Sequence, residues 1–346
     1  MLGFKNKINH LAIYFLLFIA SCPFSGCKSQ ATFGENYLHL TKTISLPGVK
    51  GRIDHLDINL KDQIVYIAAL DNNTIEVVDL NSEKVVHSIA GLDEPQGIAY
   101  IPQTEEILVA NGGSGDCYFY NAKTYEKVAA THLKSDADDV RYDSVNQKIY
   151  VGYGKGGIAI IDAQSRKQTG DIKLTGHPEG FGVDAKNNLL YVNLPGPDLI
   201  SVLDLKQLKF IRNISKNYRS GNFPMAMDSS GNTLFIGYRH PGKLVVMNAT
   251  SGHRVRVNDL TNDSDDLFYD EVTKRIYVSC GGGYTNLGYI NIFQFQGGDK
   301  YTQIANIPTR NNARTSLLVS QMHFFLLAEP SDRNHEAQLL VYKTQQ

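Results

Sequence analysis

Short segments in which apolar and polar residues alternate recur along the chain at nearly constant spacing. Seven of them align on one apolar position, which is occupied by Tyr66, Leu108, Tyr150, Tyr191, Phe235, Tyr277 and Leu326. Successive positions are 42, 42, 41, 44, 42 and 49 residues apart. Alternation predicts half-buried β-strands. A repeat of roughly 40 residues with this texture is typical of β-propellers, in which each repeat forms one blade.

Each repeat resolves into four strands. In the first, third and fourth units the third strand is predicted over residues 74–80, 157–163 and 199–205. A short polar residue stands near the end of this strand in five units, namely Asp79, Asn121, Asp162, Asp204 and Asn248. Asp and Asn side chains hydrogen-bond to nearby backbone groups, so we interpret these residues as turn formers.

The last unit is one strand short. Its strands are predicted near residues 314–320, 324–328 and 338–344. Residues 40–47 precede the first unit and have the same alternation, so we expect them to supply the missing strand and close the ring. The predicted fold class is therefore all-β: a seven-bladed β-propeller of four-stranded antiparallel blades, closed by an N-terminal strand in the last blade.

The N-terminal residues predict export. Lys5 and Lys7 precede an apolar run over residues 11–20 that ends in small residues, which is the pattern of a signal peptide. A run of about ten residues is too short to cross a bilayer as a helix. The predicted divisions of the chain are a signal peptide at 1–21, an N-terminal linker at 22–37 and a single propeller domain at 38–346.

Two cysteines follow the apolar run. The sequence Ile-Ala-Ser-Cys that ends at Cys22 resembles the lipobox of bacterial lipoproteins, and Phe-Ser-Gly-Cys that ends at Cys27 is a poorer match. An ordinary secretory signal with incidental cysteines is the other interpretation. We predict an exported lipoprotein held on the bacterial cell envelope by a lipid on Cys22, with Cys27 as the alternative site, and no other contact with the membrane.

The composition limits the classes of partner that the chain can bind. With 42% hydrophobic and 20% charged residues, the chain suits a globular fold with a large core. Removal of Lys5 and Lys7 takes the formal net charge from −1 to −3, and Lys and Arg form no cluster, which argues against nucleic acid as a partner. Cys117 and Cys280 fall on non-neighbouring blades, so no disulfide is expected. We expect a monomer.

Two of the repeats carry a family resemblance. The segments Ile-Tyr-Val-Gly at 149–152 and Leu-Tyr-Val-Asn at 190–193 resemble the YVTN family of β-propellers, over essentially the whole predicted mature chain. That superfamily resembles the propellers of quinoprotein amine dehydrogenase heavy chains, and it includes many binding proteins with no known reaction. The chain has no Trp for a WD40 signature and no Cys-x-x-Cys-His haem motif. The resemblance is strong evidence for the architecture and weak evidence for the function.

The resemblance also implies that the first strand of each blade lines a central channel and that the loop entering it lies at one mouth. One position in these loops holds polar residues in five units, namely Asp54, Gln96, Asp138, Glu179 and Asp265. Neighbouring positions add His55, Asp139 and Asp266 and, two residues earlier than the first position, Arg52, Asp136, His177 and Asp263; the last unit adds Arg314. Arg239 is predicted in a loop between the second and third strands of the fifth blade, which we expect to open at the same mouth.

These residues permit two interpretations. Taken singly, each is explained by capping of backbone groups or by ion pairs within the scaffold. Taken together they exceed what turns require, so we predict a mixed-charge mouth that binds a ligand.

A divalent cation is the one cofactor that this set would suit. An oxygen-rich ring for Ca²⁺ or Mg²⁺ would use Asp54, Asp138, Glu179 and Asp265. A site for Zn²⁺ or Cu²⁺ would use His55 and His177 with carboxylates. No spacing motif in the sequence chooses between these sets.

The predicted function is that of an extracytoplasmic binding module, which captures a small polar ligand or a peptide segment at the channel mouth. One alternative is a metal-assisted lyase or lactonase-like hydrolase, with His177 and Glu179 as acid and base. Another is a structural surface adaptor for protein contacts. The sequence has no recognisable Ser-His-Asp order or nucleophile elbow, so binding is favoured over catalysis.

Overall fold

The structure of the chain, a computed structural model, describes Gly3 and residues 36–215, 221–283 and 287–345. Apart from Gly3, the predicted signal peptide lies outside the described residues, and so do both candidate anchor cysteines. In the described part of the chain, no helix has the length and apolar character needed to cross a membrane.

Seven four-stranded antiparallel sheets make up the described residues, together with two 3-10 helices at Leu70–Asn72 and Ser320–Met322. The first three blades are β2–β5 (Leu56–Asn59, Ile64–Ala69, Thr74–Asp79, Lys84–Ile89), β6–β9 (Pro95–Ile101, Glu106–Asn111, Asp116–Asn121, Lys127–His132) and β10–β13 (Ala137–Asp143, Lys148–Tyr153, Gly157–Asp162, Gln168–Lys173). The next three are β14–β17 (Phe181–Asp184, Leu189–Leu194, Leu199–Asp204, Lys209–Ser215), β18–β21 (Asn222–Met227, Thr233–Arg239, Gly242–Asn248, Arg254–Asp259) and β22–β25 (Ser264–Asp270, Arg275–Cys280, Leu287–Phe295, Tyr301–Arg310). The seventh consists of β26–β28 (Thr315–Val319, Phe324–Glu329, Gln338–Thr344) and β1 (Leu38–Ser45).

The ring is closed by β1, which confirms the predicted closure. This strand pairs antiparallel with β28, from Leu38 opposite Thr344 to Ser45 opposite Gln338. It begins and ends two residues earlier than the predicted 40–47, because the buried Leu38 packs into the interface between the sixth and seventh blades. Closure gives the seventh blade four strands, as in each of the other blades.

The core lies between the blades. Among the described residues, seven apolar clusters each join two adjacent blades, including the last blade to the first. The aligned apolar position of the repeat lies in the second strand, where its side chain is at most 3% exposed in every blade. A strand in the middle of a blade is covered by neighbouring blades on both faces, which explains why large apolar residues recur there.

The predicted turn formers have the predicted role. The side chains of Asp79, Asn121, Asp162, Asp204 and Asn248 each accept a hydrogen bond from a backbone N–H two or three residues further on. These hydrogen bonds form within a few residues at the end of the third strand. The residue type alone therefore predicted the turns.

The first strands of all seven blades line a central channel, a cavity of about 750 Å³. This matches the arrangement that the family resemblance implies. The loops that enter these strands therefore gather at one end of the channel, which we call the mouth.

A β-bulge recurs at the start of the first strand. In the second, third, fifth and sixth blades the register with the second strand shifts within the first four residues. A bulge breaks the alternation of side chains, so two consecutive residues reach different partners on the same side of the sheet. Asp138 and Asp139 show the effect, since Asp138 contacts His177 while Asp139 contacts Arg141.

Candidate functional site

One half of the mouth, the arginine side, pairs three arginines with three aspartates. It consists of Arg52, Asp54, Arg239, Asp263, Asp265 and Arg314, which come from four different blades. Arg314 Nε lies 2.8 Å from Asp265 Oδ2, and Arg314 Nη1 donates to Asp263 Oδ1 at 2.9 Å. Arg239 Nη2 donates to the other oxygen of Asp265. Arg52 Nη2 donates to Asp54 Oδ2 at 2.6 Å.

The Asp265 carboxylate is the electrostatic centre of the arginine side. Its side chain is 10% exposed, and burial alone would raise its pKa. The charges of Arg239 and Arg314 outweigh burial and lower the pKa of Asp265 to about 2. Asp265 is therefore ionised at every physiological pH.

Phe223 supports the same network from the fifth blade. It occupies the repeat position at which four other units have a carboxylate. The guanidinium of Arg239 lies over the Phe223 ring, 3.4 Å from its centroid, and Arg239 Nε donates to the carbonyl of Ser264 at 3.1 Å. The aromatic face thus holds a cation where the other loops offer an anion.

The other half of the mouth, the histidine side, has three carboxylates around one imidazole. It consists of Asp136, His177 and Glu179, from the loops that enter the third and fourth blades, and of Asp138, the second residue of β10. His177 Nε2 lies 3.2 Å from Asp138 Oδ2 and 4.0 Å from Glu179 Oε1, and His177 Nδ1 lies 3.4 Å from Asp136 Oδ2. Within 4.0 Å and among the described residues, His177 is the ion-pair partner of all three carboxylates.

Backbone contacts orient the imidazole. His177 Nδ1–H donates to the carbonyl of Gly154 at 2.6 Å, and the Gly154 N–H donates to the carbonyl of Asp136 at 2.9 Å. Gly154 has φ +60°, a left-handed conformation that glycine adopts without strain. The ring is therefore held with Nε2 directed toward Asp138 and Glu179.

The carboxylates on the histidine side titrate unlike Asp265. Burial, with the charge of Asp138, raises the pKa of Glu179 to about 8, and burial also raises the pKa of Asp138. The hydrogen bond to Asp138 raises the pKa of His177 to about 9. Arg239 lowers the pKa of Glu179 from a distance, so the two sides belong to one electrostatic site.

His55 lies between the mouth and the channel. Its imidazole nitrogens lie 3.4 Å from Asp266, 3.6 Å from Asp54 and 3.9 Å from Asp139. Burial works against a charged imidazole, but the hydrogen bond to Asp266 and the surrounding carboxylates raise the pKa of His55 well above its ordinary value. The charged ring connects three blades below the mouth.

The remaining predicted residues join the same site with two corrections. Five residues predicted in the entry loops are the second or third residues of first strands β6, β10 and β22, namely Gln96, Asp138, Asp139, Asp265 and Asp266. Gln96 Nε2 donates to Asp136 Oδ1 at 3.4 Å, which places Gln96 beside the histidine side. Arg239 is the last residue of β19, not a loop residue as predicted. It reaches the mouth because the hairpin to β20 is only two residues long.

Neither predicted cation site forms as a complete set. Among the described residues, the ligand atoms close enough to share one ion belong to Asp138, His177 and Glu179. Asp54 and Asp265 are paired with arginines, and His55 has its own carboxylates. The oxygen-rich ring and the pair of histidines are thus each divided between separate clusters.

Two charged residues of the channel wall were not predicted from the sequence. Arg141 donates to Asp139 and packs over the ring of Phe181, with 5.4 Å to the centroid. Asp57 accepts the N–H of Tyr100 at 2.6 Å, and burial raises its pKa to about 6. Both residues lie within the first strand of a blade, where a charged residue in the sequence is itself a signal of a polar channel wall.

Comparisons with known proteins identify the fold alone. No protein-family model matches the chain, and no curated protein sequence matches it. One chain of a structure described as the mitotic checkpoint complex superposes with a TM-score of 0.75 and 16% identity, over 97% of this chain and 100% of that chain. A chain of Kuenenia stuttgartiensis hydrazine synthase superposes with a TM-score of 0.69 and 14% identity, over 86% of this chain and 99% of that chain. The fold is a seven-bladed β-propeller. Membership of the YVTN family stays a prediction.

Proposed function

We propose that this β-propeller is a binding module that captures a small polar ligand with an anionic group at the mouth. The observation that carries the proposal is a cleft of about 420 Å³ beside the arginine side. Its polar lining consists of Arg52, Arg314, Asn311, Asn312 and Ser331 together with the carboxylates of Asp71 and Asp332. Small-molecule sites are typically clefts of about 300 to 1,000 Å³ with a few convergent polar groups. A guanidinium can hold a carboxylate or phosphate by two parallel hydrogen bonds.

Arg52 is the residue best placed to contact a ligand. Its side chain is 44% exposed and makes one ion pair, with Asp54, in the described part of the chain. Arg314 is 18% exposed and holds two aspartates. Arg52 therefore has donors to offer, while Arg314 mainly fixes the cleft wall.

Ligand-dependent thermal stabilisation tests this function. Probes are dicarboxylates, sugar phosphates, amino acids and short acidic peptides, so that small molecules and peptide segments are compared. A ligand present at 100 times its Kd should stabilise the wild type by about 2.7 kcal/mol. Arg52→Gln should lose this stabilisation, and its unliganded free energy of unfolding should fall by about 1 kcal/mol or less.

The matched control is Arg166→Gln. Arg166 is paired with Glu106 at 2.9 Å, at the end of the third blade opposite the mouth. This variant should respond to ligand like the wild type. If every probe that stabilises the wild type stabilises Arg52→Gln equally, capture at this cleft is refuted.

The metal-assisted lyase or hydrolase alternative would act at the same mouth. It is favoured by the cluster of Asp138, His177 and Glu179, because a metal with an open coordination position polarises a bound carbonyl or activates water. Turnover of lactones with added divalent metal would support it. Equal turnover by the His177→Ala, Glu179→Ala variant would eliminate these residues as its catalytic groups.

We also propose that the binding module acts outside the cytoplasm, tethered by a lipid on Cys22 or Cys27. The support is the apolar run followed by the lipobox-like sequence. The chain expressed in a bacterium should partition into the detergent phase, and the Cys22→Ser, Cys27→Ser double variant should move to the aqueous phase. A double variant that stays in detergent would refute the anchor.

A further inference from the structure

We propose that Asp138, His177 and Glu179 bind a divalent transition-metal ion, for which Zn²⁺ is the test ion. One ligand atom from each residue lies within 4.8 Å of the others. This site is independent of the ligand proposed for the arginine side, and it differs from both cation sites expected from the sequence.

The separations fit a small tetrahedral ion. Zn²⁺ bonds to His nitrogen and carboxylate oxygen at about 2.0 to 2.1 Å, which puts two ligand atoms of a tetrahedron about 3.3 Å apart. His177 Nε2 lies 3.2 Å from Asp138 Oδ2 and 4.0 Å from Glu179 Oε1. Glu179, whose side chain is 24% exposed, would have to bring its carboxylate oxygen closer to the other two ligand atoms, all of which lie within 4.8 Å of one another.

The imidazole is oriented as metal-binding imidazoles are. Ligating histidines usually donate the N–H that faces away from the metal to a carbonyl or carboxylate, which fixes the tautomer. His177 Nδ1 makes such a contact with the carbonyl of Gly154 at 2.6 Å, and Asp136 stands beside the same nitrogen. The Nε2 lone pair then faces Asp138 and Glu179, and a metal ion takes the place of any proton held between Nε2 and Asp138.

Charge also favours a cation here. The histidine side has three carboxylates and one imidazole, whereas the arginine side has one arginine for every aspartate. Asp138 is 9% exposed, and in the metal-free protein its compensating cation is the His177 imidazolium, 3.2 Å away. A divalent ion bound by His177 Nε2, Asp138 and Glu179 replaces that single positive charge with two, while Asp136 stays on the Nδ1 side of the ring.

The ligand set indicates the class of metal. A mixed imidazole and carboxylate set suits Zn²⁺ and neighbouring first-row ions better than Ca²⁺, which prefers six to eight oxygens. Three protein ligands leave a fourth position for water or for an anionic group, as in open zinc sites. His177 is 30% exposed, so the cluster is accessible to solvent.

Calorimetric titration of the chelator-treated full chain with Zn²⁺ tests the site, with Co²⁺ absorption as a second readout. The wild type should show a site whose occupancy depends on His177, with d–d bands for bound Co²⁺ and no thiolate band. His177→Ala should weaken Zn²⁺ at that site by more than about 100-fold, since removal of even an outer-shell partner costs 10- to 100-fold. Glu179→Gln preserves side-chain volume and should weaken it by at least about 10-fold.

The matched control is His132→Ala. His132 Nδ1 lies 2.6 Å from Asp116 Oδ1, but this pair is exposed and has no third ligand within reach among the described residues. The control should bind Zn²⁺ like the wild type. A wild type that binds neither ion at His177, or a folded Glu179→Gln variant with wild-type affinity, would overturn the proposal.

The two proposals fail in different ways. Loss of Zn²⁺ binding in Glu179→Gln with retained ligand stabilisation separates the metal from the arginine cleft. Absence of ligand stabilisation with retained Zn²⁺ binding refutes only the cleft. Unfolding midpoints in EDTA show whether each variant is folded, and if His177→Ala is not, the Glu179→Gln result decides.

Discussion

Glu179 and Asp265 occupy the same position in the repeat, but they sit in opposite electrostatic surroundings. The pKa of Asp265 is lowered to about 2 by Arg239 and Arg314, whereas burial beside Asp138 raises the pKa of Glu179 to about 8. Both carboxylates enter a first strand at the same mouth. The difference is therefore produced by residues of other blades and not by the repeat itself.

The comparison shows that one mouth contains two kinds of site. On the arginine side, buried aspartates are neutralised within the protein, and the structure gains a rigid wall of hydrogen-bonded guanidinium groups. On the histidine side, three carboxylates share His177. The first side is suited to hold an anion at its edge, and the second is suited to receive a cation.

The largest expected effect is that of Arg314→Met. Its loss leaves Asp263 and Asp265 buried with Arg239 as their remaining ion-pair partner, so the free energy of unfolding should fall by about 3 to 5 kcal/mol. Arg52→Met should cost about 1 kcal/mol or less, because the Arg52 side chain is 44% exposed and Asp54 keeps His55 as a partner at 3.6 Å. Urea unfolding of both variants measures the difference. Equal losses would show that the arginine side is not organised around Arg314.

Acid should act on the arginine side through Asp265. Its folded pKa of about 2 lies below the ordinary value of 3.8, so ionised Asp265 stabilises the fold above pH 4. This contribution, about 2 kcal/mol, should be lost as the pH falls from 4 to 2. Unfolding midpoints across this range should fall less steeply in Asp265→Asn than in the wild type. An equal slope in the two proteins would contradict the low pKa.

The smallest effect is expected from Glu179→Gln in metal-free protein. This change removes a carboxylate whose ion-pair partner, His177, is 4.0 Å away, so the unfolding free energy at neutral pH should stay within about 1 kcal/mol of the wild type or rise. Asp265→Asn should lower it by about 2 kcal/mol under the same conditions. Urea unfolding of the pair gives a direct comparison. A loss in Glu179→Gln as large as that in Asp265→Asn would mean that the two sides are alike.

The blades were predictable because their causes are local. Each repeat contains the alternation, the aligned apolar position and, in five units, the Asp or Asn turn. These features are found where they were predicted. The closing strand was also predictable, although its bounds moved by two residues. Leu38 is buried by the sixth blade, which lies far away in the sequence, and no local pattern reports that contact.

The sequence by itself also determined which entry segments carry charge, and the family resemblance implied that they meet at one mouth. Only the tertiary structure decided which charges pair. Arg239, Asp265 and Arg314 come from three consecutive blades, and bulges re-aim Asp138 and Asp139 toward different partners. Ion pairing depends on distances of a few ångströms between residues that a repeat pattern treats as equivalent. For that reason the repeat predicts where Glu179 and Asp265 lie, but residues of neighbouring blades determine the pKa of each carboxylate.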